Sequence, residues 1–274
     1  MIDKMVDKIR AGDDIKEYIK NKKRHQAKHI NLNSESLDRI NQFENFNWGG
    51  LTGGLKYRLI DELTVYKQYE NDFGVEEGDV VVDLGASLGV FPWQIANKKP
   101  SKIICVEPSP EFIPLLKENM NKLNIPYEIC EKGIWDSTGE ENLFAFDLGG
   151  ESYNSDIREK KTFPCFRWKE FIKEYNIEKI DYLKFDCEGG EWDVFNNENI
   201  WWTKNNIRKI SGEFHLNYYN WGEKFKIFNE TYLRLFPKHN VYSTDMVDVK
   251  KILNNDVDKF INYYKQVIIN IDNR

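Results

Sequence analysis

The chain has 274 residues, of which 41% are hydrophobic and 14% aromatic, and its formal net charge is −6. A chain of this composition can bury a large core, which excludes an intrinsically disordered protein, and the acidic charge disfavours nucleic acid as a partner. The apolar runs are too short for a membrane span and the charged N-terminus lacks the apolar segment of a secretory signal, so we expect a cytoplasmic protein without a membrane partner.

The first 45 residues carry apolar side chains at helical spacing. They predict an N-terminal helical extension, residues 1–45, ahead of a single domain, residues 46–274. A basic stretch in the extension contains His25 and His29 at a spacing that a metal site can use. Because the surrounding lysines would repel a cation, a solvated helix face is the preferred interpretation.

Beyond the extension, strand-like and helical patterns alternate along the chain. The predicted strands lie at residues 80–84, 102–107, 127–131, 142–146, 162–166, 181–187, 209–216, 240–246 and 266–271. Strands that alternate with helices predict an α/β fold with a mostly parallel sheet covered on both faces. Ligands of such sheets bind beyond the carboxyl ends of the strands, and the chemically notable residues of this sequence lie there.

The first predicted strand ends in a glycine-rich turn, within the stretch VVVDLGASLGVF. Gly85, Ser87 and Gly89 give a G-x-x-x-G spacing, whereas a dinucleotide site requires G-x-G-x-x-G, so a dehydrogenase is disfavoured. Asp83 at the strand end would repel a pyrophosphate and would suit the α-amino group of a ligand. The turn therefore predicts S-adenosylmethionine as the cofactor.

The next two strands add candidate cofactor contacts. Glu107 ends the second strand, where an acid can accept hydrogen bonds from both ribose hydroxyls, and Ser109 is the predicted N-cap of the helix that follows. Gly133, Ile134 and Trp135 follow the third strand, where an adenine would be held. Stacking of Trp135 on the base and packing of Trp135 in the core both remain open.

These segments, together with IDYLKFDCEGGEW at residues 180–192, resemble the FkbM family of S-adenosylmethionine-dependent methyltransferases. The family pattern Asp-x-Glu-Gly-x-Glu is present as Asp186, Glu188, Gly189 and Glu191. The resemblance implies a class I methyltransferase fold, a Rossmann-like, mostly parallel seven-stranded sheet with helices on both faces and an antiparallel last strand. It also implies O-methylation of hydroxyls on sugars and polyketides. Ser87 replaces the Asn that is usual in the family.

A sugar hydroxyl is a weak nucleophile, so a general base or a divalent cation has to help remove its proton. The candidate catalytic residues are Asp186, which we expect nearest the methyl group, Glu188 and His215. Glu191 is predicted to contact the substrate, although either Glu188 or Glu191 could instead be structural. Glu213, two positions before His215 in the same strand, could orient the imidazole.

An aromatic loop is the predicted contact for the acceptor. Tyr218, Tyr219 and Trp221 lie in the polar segment HLNYYNWGEK, and a polar loop at residues 147–157 is predicted to be either a lid or an acceptor-binding segment. We expect a small-molecule or glycan acceptor. The alternatives are a nucleic acid methyltransferase, which the acidic charge argues against, and a non-catalytic S-adenosylmethionine-binding protein, which the three intact carboxylates argue against.

Overall fold

The computed structural model describes most of the chain after the first 40 residues. The described residues are 41–50, 53–144, 160–216 and 220–274. The chain divides into two units, Met1–Asn45 and Phe46–Arg274. Nearly all of the predicted helical extension, the predicted lid and both Tyr218 and Tyr219 lie outside the described residues, so those assignments stay predictions. Within the described ranges, no helix is long and apolar enough to cross a membrane.

Strands and helices alternate through the second unit. The strands are β1 (Val80–Leu84), β2 (Lys102–Val106), β3 (Tyr127–Cys130), β4 (Gly133–Ile134), β5 (Gly139–Phe144), β6 (Lys160–Phe166), β7 (Ile180–Phe185), β8 (Ile207–His215), β9 (His239–Tyr242) and β10 (Gln266–Asp272). The α-helices are α1 (Gly53–Thr64), α2 (Val90–Ile95), α3 (Ile113–Asn121), α4 (Trp168–Glu174), α5 (Glu191–Val194), α6 (Ile200–Asn206), α7 (Trp221–Ile227), α8 (Lys250–Asn255) and α9 (Val257–Tyr263).

Seven of these strands form the central sheet, in the order β3-β2-β1-β7-β8-β10-β9. The first five in this order pair in parallel, and β10 runs antiparallel to both β8 and β9. This arrangement confirms the predicted class I methyltransferase sheet with its inserted antiparallel strand. The chain order reverses between β1 and β7, so the carboxyl ends of these two strands border the crevice where such sheets bind ligands. A smaller sheet has the order β4-β6-β5.

The central strands are apolar along their length because both faces of the sheet are covered. Four of the five residues of β1 are buried, and an aromatic cluster fills the space beside β7 and β8. In that cluster the ring centroid of Phe214 lies 5.0 Å from that of Phe185 and 4.9 Å from that of Phe228. This packing fixes the strand that ends at His215, and so it fixes one wall of the site.

The helix after β2 begins later than the sequence predicts. Ser109 is not its N-cap, because α3 starts at Ile113 and Phe112 holds the capping position. The N–H groups of Phe112 and Ile113 donate to the carbonyl oxygen of Ser109 in the turn before α3. Pro114 explains the difference, since proline is tolerated in the first turn of a helix but not further inside. The turn keeps Ser109 buried beside the end of β2.

Candidate active site

The turn after β1 is pressed against the loop after β7. Gly85 has φ of 78°, and a Cβ at this position would overlap the carbonyl oxygen of Asp186, so glycine is required there. Ser87 also has a positive φ, 50°, and its N–H donates to Glu107 Oε2 at 2.8 Å. Gly89 immediately precedes α2. The turn therefore joins the ends of β1, β2 and β7 into one surface.

Glu107 follows β2 and is buried beneath this turn. Its Oε1 accepts the N–H of Ser109 at 2.8 Å, and its Oε2 accepts the N–H of Ser87. Burial outweighs these two hydrogen bonds and raises the pKa of Glu107 to about 7. Each carboxylate oxygen still has a second acceptor direction, so the group fits the predicted contact with ribose hydroxyls.

Asp83 is placed differently from the prediction. Its side chain is fully buried, and the Lys184 ammonium group of β7 lies 2.9 Å from its Oδ1 and donates to the carbonyl oxygen of Gly85. Burial raises the pKa of Asp83, and the Lys184 ammonium opposes this rise. Burial lowers the pKa of Lys184, but Asp83 and Asp186 together outweigh burial and raise it. The contact is a close ion pair between two buried groups. In this conformation Asp83 supports the turn rather than facing a ligand.

The predicted adenine contacts belong to the small sheet. Gly133 and Ile134 are buried and pair with Cys165 and Phe166 in β6. Trp135 is half-buried, and its ring lies edge-on at 6.4 Å from Trp221. Part of the Trp135 ring packs and part is exposed, so its predicted stacking on a base remains a proposal.

Three candidate catalytic residues meet at the ends of β7 and β8. His215 Nε2 lies 3.8 Å from Asp186 Oδ1, 3.5 Å from Glu188 Oε2 and 3.4 Å from Glu213 Oε1. The side chain of Asp186 is 36% exposed and that of Glu188 is 14% exposed, whereas that of His215 is 1% exposed. Asp186 is therefore the group of this set most accessible to a substrate, and the sequence-based contact between Glu213 and His215 is present.

Glu191 corrects a second prediction. It is fully buried, its Oε1 accepts the backbone N–H of His215 at 2.9 Å and lies 3.1 Å from His215 Nδ1, and its Oε2 accepts the N–H of Gly189 at 2.8 Å. Both oxygens are thus engaged by the protein, and Glu191 positions the imidazole instead of contacting the substrate. Of the two acids for which a structural role was open, the structure assigns that role to Glu191 and not to Glu188.

Four carboxyl groups surround one imidazole in this cluster. Burial would lower the pKa of His215, but Glu188, Glu191 and Glu213 outweigh burial and raise it well above its usual value. Burial and the neighbouring Asp186 raise the pKa of Glu213 in turn. Asp186, Glu188 and His215 each offer one ligand atom within 4.8 Å of the others, a donor set that a divalent cation can use.

Trp221 is the third correction. It was predicted to meet the acceptor, but it is buried and packs against Gly189, where a Cβ would overlap its ring, and it lies 6.2 Å from the His215 ring. Trp221 therefore forms a floor under the carboxylate cluster. A sugar cannot stack on a side chain that is covered in this way.

The sequence reasoning missed three residues at the site. Lys184 stands opposite Asp83 in the register of β1 and β7, so the lysine in the run YLKF was a usable signal for a buried ion pair. Gln68 and Tyr69 precede β1 and contact Glu213 and Asp186. No motif marked these two residues.

Comparisons with known proteins agree with this architecture. A family model described as a methyltransferase FkbM domain matches residues 83–246, more than half of the chain, which confirms the resemblance found in the sequence. No curated protein matches the chain.

Two solved structures are similar to this chain. One is Aeropyrum pernix fibrillarin with natively bound S-adenosyl-L-methionine, with 12% identity, 82% of this chain and 76% of that chain covered, and a TM-score of 0.43. The other is a putative RNA methyltransferase from Pyrococcus horikoshii, with 12% identity, 87% and 96% covered, and a TM-score of 0.40. At these TM-scores they say nothing about the substrate.

Proposed function

Because the chain belongs to the FkbM methyltransferase family and is therefore an S-adenosylmethionine-dependent methyltransferase, we propose that it methylates a hydroxyl group of a sugar or glycoconjugate. The observation that carries the proposal is the exposed carboxylate of Asp186, backed by Glu188 and His215, at the carboxyl ends of β7 and β8. A hydroxyl acceptor needs such a group because it has to lose its proton as it attacks.

Different residues of the site would bind the cofactor and position the acceptor. When bound, S-adenosylmethionine supplies an electrophilic methyl group on a sulfonium. The turn from Gly85 to Gly89 would cradle the amino acid end of the cofactor, and Glu107 would accept the ribose hydroxyls. Asp186, which adjoins the turn, would then stand where the acceptor hydroxyl has to approach, so that positioning supplies much of the acceleration.

Asp186 is the proposed proton acceptor. Its carboxylate would take the proton of the acceptor hydroxyl as that oxygen bonds to the methyl group. The demethylated cofactor, S-adenosylhomocysteine, would leave with the electron pair of the broken carbon–sulfur bond. Glu191 holds His215 behind Asp186 and Glu188 through the contacts at Nδ1 and the backbone N–H. The buried imidazole supports the two acids and is too enclosed to meet the acceptor itself.

The same residues also support a second mechanism for deprotonation of the acceptor hydroxyl, in which a divalent cation takes part. Asp186, Glu188 and His215 would supply two carboxylate oxygens and one imidazole nitrogen, and a cation would offset the excess negative charge there. A bound cation would lower the pKa of the acceptor hydroxyl, whereas the first account uses the carboxylate alone. Activity after exhaustive chelation, with and without added Mg²⁺ or Mn²⁺, separates the two accounts.

The acceptor class is tested by methyl transfer from radiolabelled S-adenosylmethionine to a panel of free sugars, glycosides and nucleotide sugars, with RNA and single-stranded DNA in parallel. We expect labelled product from a carbohydrate, with the methyl group on oxygen by NMR, and loss of at least 100-fold in rate for Asp186→Asn. Glu77→Gln changes an exposed carboxylate before β1 and is the matched control. Transfer to nucleic acid alone would overturn the proposal.

A further inference from the structure

A segment between α1 and β1, residues 65–74, lies outside the part of the chain that the family model matches and is called the strap here. Hydrogen bonds attach the strap to neighbouring strands of the central sheet. Tyr182 of β7 donates its hydroxyl to the carbonyl oxygen of Tyr69, and Lys209 of β8 donates to the carbonyl oxygen of Gly74 at 2.6 Å. These bonds fix the backbone of the strap at two points.

A third attachment uses a side chain of the strap. Asp72 accepts the hydroxyl of Tyr242 in β9 at 2.7 Å and the amide of Asn270 in β10 at 3.1 Å. The strap is thus bonded to four strands of one sheet. Contacts within the central sheet therefore set its position relative to the site.

The strap directs two consecutive buried side chains into the carboxylate cluster. Gln68 Nε2 donates to Glu213 Oε2 at 3.3 Å, and the Tyr69 hydroxyl donates to Asp186 Oδ2 at 3.0 Å. Each therefore binds a different carboxylate. Asp186 is the acid that faces solvent, so the tyrosine contact bears directly on the exposed group.

The Tyr69 ring is held from two sides. Phe91 of α2 meets it edge-on, with ring centroids 6.0 Å apart, and the Lys184 ammonium lies 5.2 Å from its ring centroid. The backbone of Asp186 is fixed as well, because its N–H donates to the carbonyl oxygen of Leu84 at 2.9 Å. Since both partners are anchored, the hydrogen bond between them defines the orientation of the carboxylate.

We propose that Tyr69 is a positioning residue for methyl transfer, one that engages Asp186 Oδ2 and so leaves Oδ1, which lies 3.8 Å from His215 Nε2, to the acceptor hydroxyl. The inference rests on the proposed function of Asp186 as proton acceptor. It extends the active site to a segment that precedes the matched family region. Gln68 would orient the carboxyl group of Glu213 in the same way, and Glu213 lies behind Asp186 as seen from the acceptor.

The first test removes only the hydroxyl. Tyr69→Phe should lower kcat about 10- to 100-fold, the value of a hydrogen bond to a charged group, with the acceptor KM and the cofactor Kd unchanged within twofold. Tyr242→Phe removes a hydroxyl that anchors the same strap at a distance from Asp186, and it should keep kcat within twofold. Equal losses of kcat in both variants would overturn the assignment, because the strap as a whole would then be responsible.

The second test needs no acceptor. A double-mutant cycle of Tyr69→Phe and Asp186→Asn, measured by urea unfolding, should show coupling, so that Tyr69→Phe shifts the unfolding midpoint less in the Asp186→Asn background. Additive shifts would overturn the inference whatever the reaction is. If the wild-type protein methylates no hydroxyl compound but the coupling is present, the proposed function fails, and Tyr69 still orients the Asp186 carboxylate.

Discussion

Acidification should weaken binding of S-adenosylhomocysteine, the demethylated form of the cofactor, because of one carboxyl group. Burial raises the pKa of Glu107 to about 7, from 4.5 for an ordinary glutamate, in spite of its two backbone N–H donors. Ribose hydroxyls donate to the ionised carboxylate, so binding at low pH requires a proton to leave. The ionised fraction falls from about 0.9 at pH 8 to about 0.03 at pH 5.5, and the Kd should rise about 30-fold.

Calorimetric titrations between pH 5.5 and 8 measure this change directly. At pH 6.5, titrations in buffers of different ionisation enthalpy should show that about 0.8 proton is released per ligand bound. Glu107→Gln should bind with a nearly constant Kd. Asp83 and Lys184 also influence the pKa of Glu107, and both remain in the Glu107→Gln variant. A small pH dependence of the Kd in that variant would therefore come from Asp83 and Lys184. A 30-fold change retained in the variant, or a constant Kd in the wild type, refutes the reasoning.

The stability of the ligand-free protein should change with pH in the opposite direction. The pKa of Glu107 is higher in the folded than in the unfolded chain, so its protonation stabilises the fold fully below about pH 4.5 and the effect is lost as pH rises through about 7. A shift of about 2.5 units corresponds to about 3 kcal/mol. Between pH 5 and pH 8, which spans most of this window, the loss of stability in urea unfolding should be about 2.5 kcal/mol larger for the wild type than for Glu107→Gln.

Two further substitutions test the turn itself. Gly85→Ala should abolish cofactor binding, because its Cβ would overlap a carbonyl oxygen of the loop after β7. Gly78 has a similar φ of 85° but open space around it, so Gly78→Ala should lower the free energy of unfolding by only about 1–2 kcal/mol. Calorimetry and urea unfolding check both, and equal losses would contradict the close approach. Lys184→Met should lower the free energy of unfolding by about 3–5 kcal/mol in urea titrations, because Asp83 stays buried without its cation. A loss below about 1 kcal/mol would show that the ion pair is unimportant.

The sequence predicts the parts of the site that lie at strand ends. Continuous apolar runs place Asp186 and His215 at the carboxyl ends of neighbouring parallel strands, and this is sufficient to predict that they meet. The sequence does not separate Glu188 from Glu191, since both acids follow the same strand. Backbone geometry decides between them, because Glu188 takes a positive φ of 51°, whereas Glu191 starts a helix and its buried carboxylate contacts His215.

Other features depend on contacts that are distant in sequence. Tyr69 reaches Asp186 only because bonds from four strands fix the strap, and no local pattern encodes such a placement. The burial of Trp221 depends on the absence of a side chain at Gly189. The prediction of Ser109 as N-cap was wrong for a local reason. Pro114 would lie inside a helix that began after Ser109, and α3 begins at Ile113 instead.

The antiparallel insertion of β10 has a consequence for how this protein folds. Among the described strands, β9 pairs with β10 alone, so β9 cannot join the sheet until the later strand has formed its own pairing with β8. Until then β8 presents an unpaired edge made of buried residues, the kind of surface on which chains aggregate. The closing step brings together strands far apart in the chain, and such non-local pairing is slow. The strand that ends at His215 therefore keeps an unpaired edge until β10 has been added to the sheet.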